Sequence, residues 1–262
     1  MMTTRESDSA ELRLARAFTN DEFDRAYNEV VIGNRFFEEP SYYRRARSRY
    51  RRTVEYLASL QLPRATQALE IGGGQIALLM SRLFDDRCTV ADVSSDFADA
   101  VTRFDVEFVE CDVLHDELPG KNRYDLVVLC GVVEHLPIPP HIVLPKLRKC
   151  IRPAGWLLVT TPNLYRLRNV IWPAAGLPVF CNFFYPERGN SLGHPIEYSA
   201  EHLAWQVTRA GYEVYLLDQV QLSNVGFSLK AKSARTLLSP FLTLIPRWRD
   251  NLVCAAMNPI ST

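Results

Sequence analysis

Residues 68–77 read ALEIGGGQIA: a short apolar run carrying one acid, Glu70, then glycines at 72, 73 and 74, then apolar positions at helical spacing. The run has the length of a buried strand, and a strand that passes through glycines straight into a helix predicts a βα unit with a tight turn. Glycines at such a turn let the backbone approach a bound group with no side chain in between.

The same rhythm continues downstream. Short apolar runs near 67–71, 88–92, 106–110, 124–130 and 155–160 alternate with helix-like stretches, which predicts a parallel sheet and the α/β class. Ser199 is a candidate cap for a helix ending near Gly211, and 212–221 and 251–257 supply a sixth and a seventh strand. The expected fold is a Rossmann-like, seven-stranded, mostly parallel sheet with helices on both faces.

Upstream, Leu12, Leu14 and Phe18, and again Tyr43, Tyr50, Val54 and Leu57 before Pro63, recur at helical spacing. They predict an N-terminal helical cap over 1–60, ahead of a main domain over 61–262. Two stretches interrupt that domain. Residues 164–198 carry Pro173, Gly176, Pro178, Pro186, Gly189 and Gly193 among Trp172, Phe180, Phe183, Phe184 and Tyr185, too apolar for a disordered linker, and read as a folded lid. Residues 223–249 place Leu237, Leu238, Phe241, Leu242 and Ile245 on a helix that either covers the substrate site or packs on the core.

Composition narrows the function. With 262 residues, 47% of them hydrophobic, the chain can bury one sizeable core. Its 30 Lys and Arg balance 30 Asp and Glu, so no global field draws it to nucleic acid or an anionic membrane. The six cysteines stand singly, as in a reduced cytoplasmic protein, and neither a signal peptide nor a membrane span is expected. The expected partner is a small-molecule acceptor; homo-oligomerisation stays open.

The glycine turn is shorter than the G-x-G-x-x-G of dinucleotide enzymes, which set a pyrophosphate on a helix N-terminus. The form E-x-G-x-G, from Glu70 through Gly72 and Gly74, suits a ligand without phosphate whose amino group wants a carboxylate, as S-adenosylmethionine does. CTVADVS, residues 88–94, ends a strand at Asp92, where a carboxylate can accept from both ribose hydroxyls. VEFVECDVLHDELP, residues 106–119, sets Asp112 just past the next strand, within reach of an adenine amino group.

Through these residues, YDLVVLCGVVEHLP at 124–137 and LRKCIRPAGWLLVTTPN at 147–163, the chain resembles the class I S-adenosylmethionine-dependent methyltransferase superfamily over roughly residues 65–220. The resemblance implies a cofactor site built from Glu70, Gly72, Gly73, Gly74, Asp92, Val93, Asp112, Val113 and Cys130. One departure is Ile76, which stands where a third glycine is common and narrows the methionine end of the pocket.

A sulfonium methyl is already electrophilic, so the protein chiefly orients the acceptor and handles its proton. Glu134 and His135 follow the fourth strand, at the sheet edge where parallel α/β folds gather functional groups. GVVEHL is similar to the E-x-x-E-H of ubiquinone-pathway O-methyltransferases and small-RNA 2'-O-methyltransferases, where three side chains hold a divalent cation, but Gly131 takes the first glutamate's place. The RNA-modifying family adds a later histidine, matched by His194 in GHPIEYSAEHL. Glu134, His135 and His194 are therefore candidates to hold Mg2+ or Mn2+. In the metal-free alternative His135 or His194 takes the acceptor proton itself.

His141 and His202, at helix starts, and His115, in a polar loop, read as structural or solvent-facing. Arg44, Arg45, Arg47, Arg49, Arg51 and Arg52 form a local basic cluster, read as an ion-paired helix surface rather than a nucleic-acid site. The order of TPN, aromatic lid and late helical insertion also looks like methyltransferases of saccharides and secondary metabolites. The reading is an O-methyltransferase acting on a hydroxyl of a sugar or glycoside. A quinone or phenolic O-methyltransferase is the alternative, and a catalytically silent methyltransferase-fold binding protein a third.

Overall fold

The computed structural model describes residues 16–36, 38–177, 194–222 and 242–260. Phe180, Phe183, Phe184 and Tyr185 of the expected lid, Leu237, Leu238 and Phe241 of the second insertion, and Leu12 and Leu14 lie outside the described residues. In chain order the elements are α1 (Asn20–Tyr27), a π-turn (Asn28–Ile32), α2 (Pro40–Ser59), β1 (Gln67–Ile71), α3 (Gln75–Phe84), β2 (Arg87–Asp92), α4 (Ala98–Thr102), β3 (Glu107–Glu110), β4 (Tyr124–Cys130), a 3-10 turn (Val133–His135), α5 (Pro140–Cys150), β5 (Ile151–Pro162), α6 (Leu167–Ala174), α7 (Ala200–Arg209), β6 (Glu213–Val220), a 3-10 turn (Pro246–Trp248) and β7 (Asn251–Met257).

The strands hydrogen-bond in the order β3-β2-β1-β4-β5-β7-β6. β1–β2 and β2–β3 pair parallel, and β6–β7 pair antiparallel with a register shift between Val214 and Leu216. This is the Rossmann-like, mostly parallel α/β sheet expected from the alternating pattern. In β4 the run Leu126, Val127, Val128 and Leu129 is almost wholly buried, as a central parallel strand requires. Full burial of each such side chain contributes about 1.5–3 kcal/mol, and truncating Leu126 to Ala would cost about 2–5 kcal/mol.

The chain groups into two compact units, one comprising residues 1–128, 149–156 and 260–262, the other residues 129–148 and 157–259. In the first, α3 packs against β1, β2, α1 and α2. Arg16 makes a two-pronged contact with Asp86, at 3.2 and 2.7 Å, with both side chains buried, and Thr66 completes the knot. In the second unit α7 covers β6 and β7. Ser199 caps it, accepting from the His202 amide at 3.1 Å.

Two boundaries differ from the sequence reading. Phe18 is not helical. Thr19 starts α1 one residue later by a capping box, accepting from Glu22 N while Glu22 Oε2 accepts from Thr19 N. β5 begins at Ile151 rather than 155, because pairing extends through exposed Arg152, Pro153 and Ala154, which lack the apolar run that marks the rest of the strand. Among the described residues no helix is long and apolar enough to cross a membrane.

Candidate functional site

In the first unit the turn after β1 carries Gly72, Gly73 and Gly74 at φ of 79°, 81° and 89°. That backbone favours glycine, and at Gly74 space adds to it: a Cβ there would lie 3.0 Å from Val101 Cγ2. Glu70, at 3% exposure, turns its carboxylate into the start of α3. Oε2 accepts from Ala77 N at 2.6 Å and Oε1 from Ile76 N at 3.4 Å. Burial pushes the Glu70 carboxyl up to about 8, although the amides of Ala77, Ile76 and Gly74 pull against it; the charge of Asp92 adds to the rise. Ile76 itself is buried in α3.

Asp92 closes the same turn from the end of β2. Its Oδ2 accepts from Gly73 N at 3.1 Å and its Oδ1 from Ser94 N at 3.0 Å. Val93, next along the chain, is 65% exposed, an apolar surface beside the carboxylate. Asp112 lies past β3 in a tight loop, with Oδ1 accepting from Leu114 N at 2.8 Å and Oδ2 from His115 Nδ1 at 2.7 Å. Val113 is buried there. Glu70, Asp92 and Asp112 thus stand within or at the ends of β1, β2 and β3, as the sequence reading expected. Each carboxylate is already held by amide donors yet keeps lone pairs to spare.

In the second unit Glu134, His135 and His194 come together. Their donor atoms lie within 4.8 Å of one another. The rings of His135 and His194 meet edge to face, with centroids 4.7 Å apart. Glu134, 3% exposed, is fixed by Thr161 Oγ1 of β5, which donates to its Oε2 at 2.9 Å. Cys130, half-buried, ends β4 just before Gly131. Gly131 has φ of 72°, and a Cβ there would point at Glu134 Oε1 from 3.5 Å. A side chain at 131 would thus face the cluster, but only in a strained left-handed backbone. One carboxylate and two imidazoles at this spacing are a donor set that a divalent cation fits.

The sequence model for a methyltransferase domain matches residues 42–217. The chain belongs to this methyltransferase family. No curated protein matches the sequence. Among solved structures, this methyltransferase is similar to a chain of the complex between the Haloferax volcanii Trm112 methyltransferase activator and its methyltransferase, at 14% identity and TM-score 0.59, over 93% of this chain and 100% of that one. It is similar to a SAM-dependent methyltransferase from Archaeoglobus fulgidus at 16% identity and TM-score 0.53, over 80% and 91% of the two chains. The [4+2]-cyclase SpnF matches at 16% identity and TM-score 0.57, over 92% and 94%. At such identities the likeness is one of fold: that of S-adenosylmethionine-dependent methyltransferases.

Of the remaining histidines of the methyltransferase, His115 is exposed beside Asp112, and His141 and His202 are held through α7. Gln206 Oε1 accepts from His141 Nδ1 at 2.7 Å, and Gln206 Nε2 donates to His202 Nε2 at 2.9 Å, so one glutamine of α7 ties both rings. Four arginines of the cluster on α2 have local partners: Arg47 pairs with Asp24, Arg51 and Arg52 with Glu55, and Arg49 with the Tyr42 and Tyr50 hydroxyls. Two polar residues escaped the sequence reading. Asn163, fully buried, donates through Nδ2 to the carbonyls of Arg247 and Arg249 at 2.9 and 2.8 Å. Glu197, also buried, pairs with Arg166 and accepts from Asn169 Nδ2 at 2.6 Å. Its signal was the H-x-x-E spacing from His194.

Proposed function

We propose that this methyltransferase transfers a methyl group to a hydroxyl of a sugar or glycoside, with Glu134, His135 and His194 activating the acceptor. The convergence of those three side chains, with donor atoms within 4.8 Å of one another, carries the reading. Residues from both sides of β5 in the sequence meet there, beside a carboxylate already immobilised by Thr161.

S-adenosylmethionine, when bound, supplies an electrophilic methyl carbon on a sulfonium. Glu70, Gly72, Gly73, Gly74, Asp92, Val93, Asp112, Val113 and Cys130 are the proposed cofactor residues. Asp92 would hold the ribose hydroxyls, Asp112 the adenine amino group and the exposed face of Val93 the ring. His135 or His194 would take the acceptor hydroxyl's proton, the new C–O bond forming as the C–S bond breaks with both its electrons leaving on sulfur. A divalent cation held by Glu134, His135 and His194, Mg2+ or Mn2+, would lower the acceptor hydroxyl's pKa.

A quinone or phenolic acceptor has one observation in its favour: Val170, Ile171 and Trp172 of α6 are exposed, and Arg168 lies 5.1 Å from the Trp172 ring centroid. A cytoplasmic location is part of the proposal, in keeping with cysteines that stand singly along the sequence.

Calorimetric titration of S-adenosylhomocysteine, with EDTA and then with Mg2+ or Mn2+, followed by sugars and phenols, tests the reading. Cofactor binding with metal-dependent saccharide binding supports it. Phenol binding without saccharide binding favours the alternative, and no cofactor binding favours a silent scaffold.

A further inference from the structure

Glu197 is a charge buried for a reason that packing does not supply. Its side chain is fully buried, with Arg166 on Oε1 and Asn169 on Oε2. A buried ion pair rarely adds stability over an apolar pair, because desolvation consumes most of the attraction. Glu197 has a third neighbour. Its Oε1 lies 3.6 Å from Nδ1 of His194, three residues earlier in the chain.

A carboxylate can only accept, so a neutral His194 that turns Nδ1 toward Glu197 must carry its proton there. Nε2 is then the lone-pair nitrogen, the form needed either to take a proton or to bind a cation. The opposite tautomer would set the Nδ1 lone pair against a carboxylate. At 3.6 Å the contact is longer than a formed hydrogen bond, as pairs in unliganded sites often are before a ligand tightens them. Arg166 and Asn169 hold the carboxylate from the start of α6, and Asn169 Nδ2 also donates to the Leu164 carbonyl at 2.9 Å. The orientation of His194 is thereby tied to the residues that open the insertion after β5.

We infer that Glu197 is a positioning residue for His194, fixing the Nδ1–H tautomer and presenting Nε2 to the Glu134–His135 cluster. The inference rests on the reading of His194 as an acceptor-activating group, but its first test does not need turnover.

Nitrogen-15 spectra of histidine-labelled protein in EDTA, with His194 assigned by its loss in His194→Gln, should show Nδ1 protonated and Nε2 pyridine-like. A wild-type His194 protonated on Nε2 would overturn the inference. In Glu197→Gln the Nε2–H form should gain population. Mn2+ affinity or kcat should fall about ten- to a hundred-fold with S-adenosylhomocysteine affinity unchanged. Asn169→Ala, which loosens the same anchor without touching His194, should keep the Nδ1–H tautomer; an equal shift there would assign Glu197 to anchoring alone. If Glu197→Gln fails to fold, the wild-type tautomer still decides. An inactive wild type with the Nδ1–H tautomer would contradict the acceptor chemistry and leave the positioning intact.

Discussion

His135 and His194 meet edge to face at 4.7 Å between ring centroids, one ending the turn after β4, the other standing between α6 and α7. On the proposed function, two imidazoles this close to a buried carboxylate, Glu134, would manage the acceptor's proton on either chemistry. His135→Ala and His194→Ala should each lower turnover by about 10²–10⁴-fold. S-adenosylhomocysteine affinity by calorimetry should stay at the wild-type value. Full turnover in purified His135→Ala would remove that ring from the site.

Asp92 accepts from Gly73 N and Ser94 N, so it both shapes the glycine turn and offers lone pairs outward. Asp92→Ala should weaken S-adenosylhomocysteine binding by about 1–3 kcal/mol, the cost of leaving donors unpaired. Unaltered affinity would show that the ribose is held elsewhere.

Glu70 gives the protein a pH signature. Its folded-state pKa of about 8 stands above the ordinary 4.5, so between those values the folded form keeps a proton that the unfolded chain has released. Stability tied to that proton is complete below pH 4.5 and is lost as pH rises through about 8. Urea unfolding from pH 5 to 9 should therefore show a decline in the wild type that is flattened in Glu70→Gln, whatever the variant's absolute stability. Parallel profiles would contradict the buried, proton-holding carboxyl.

The Arg16–Asp86 pair anchors the chain before α1 to the turn between α3 and β2. Asp86→Ala strands a buried guanidinium and should cost about 3–5 kcal/mol in denaturant unfolding. A loss below 1 kcal/mol would mean that water reaches Arg16.

Much of this was legible in the chain itself. Buried parallel strands are apolar on both faces, so 124–130 reads as a strand without help from its neighbours, and the glycine turn with Glu70, Asp92 and Asp112 repeats one placement on three successive strands. What escaped has a physical cause in each case. Apolar spacing runs through Phe18 past the Thr19–Glu22 capping box, so spacing alone sets the helix start too early. The start of β5 pairs through backbone while its side chains face water, leaving no pattern to read. Glu197 shows in the sequence as a carboxylate; that it is buried against Arg166, Asn169 and His194 depends on chain reversal across an insertion. Gly131 stands where a third ligand would come from, and its positive φ is a backbone property that no sequence pattern announces.

The most direct test is transfer of an isotope-labelled methyl group from S-adenosylmethionine to a panel of sugars, glycosides and phenols, read by mass spectrometry, with wild type and His194→Ala side by side. The account predicts a labelled O-methyl sugar from the wild type, strongly reduced in the variant. Labelling of phenols alone, of a nitrogen or carbon acceptor, or equal labelling by the variant would contradict it.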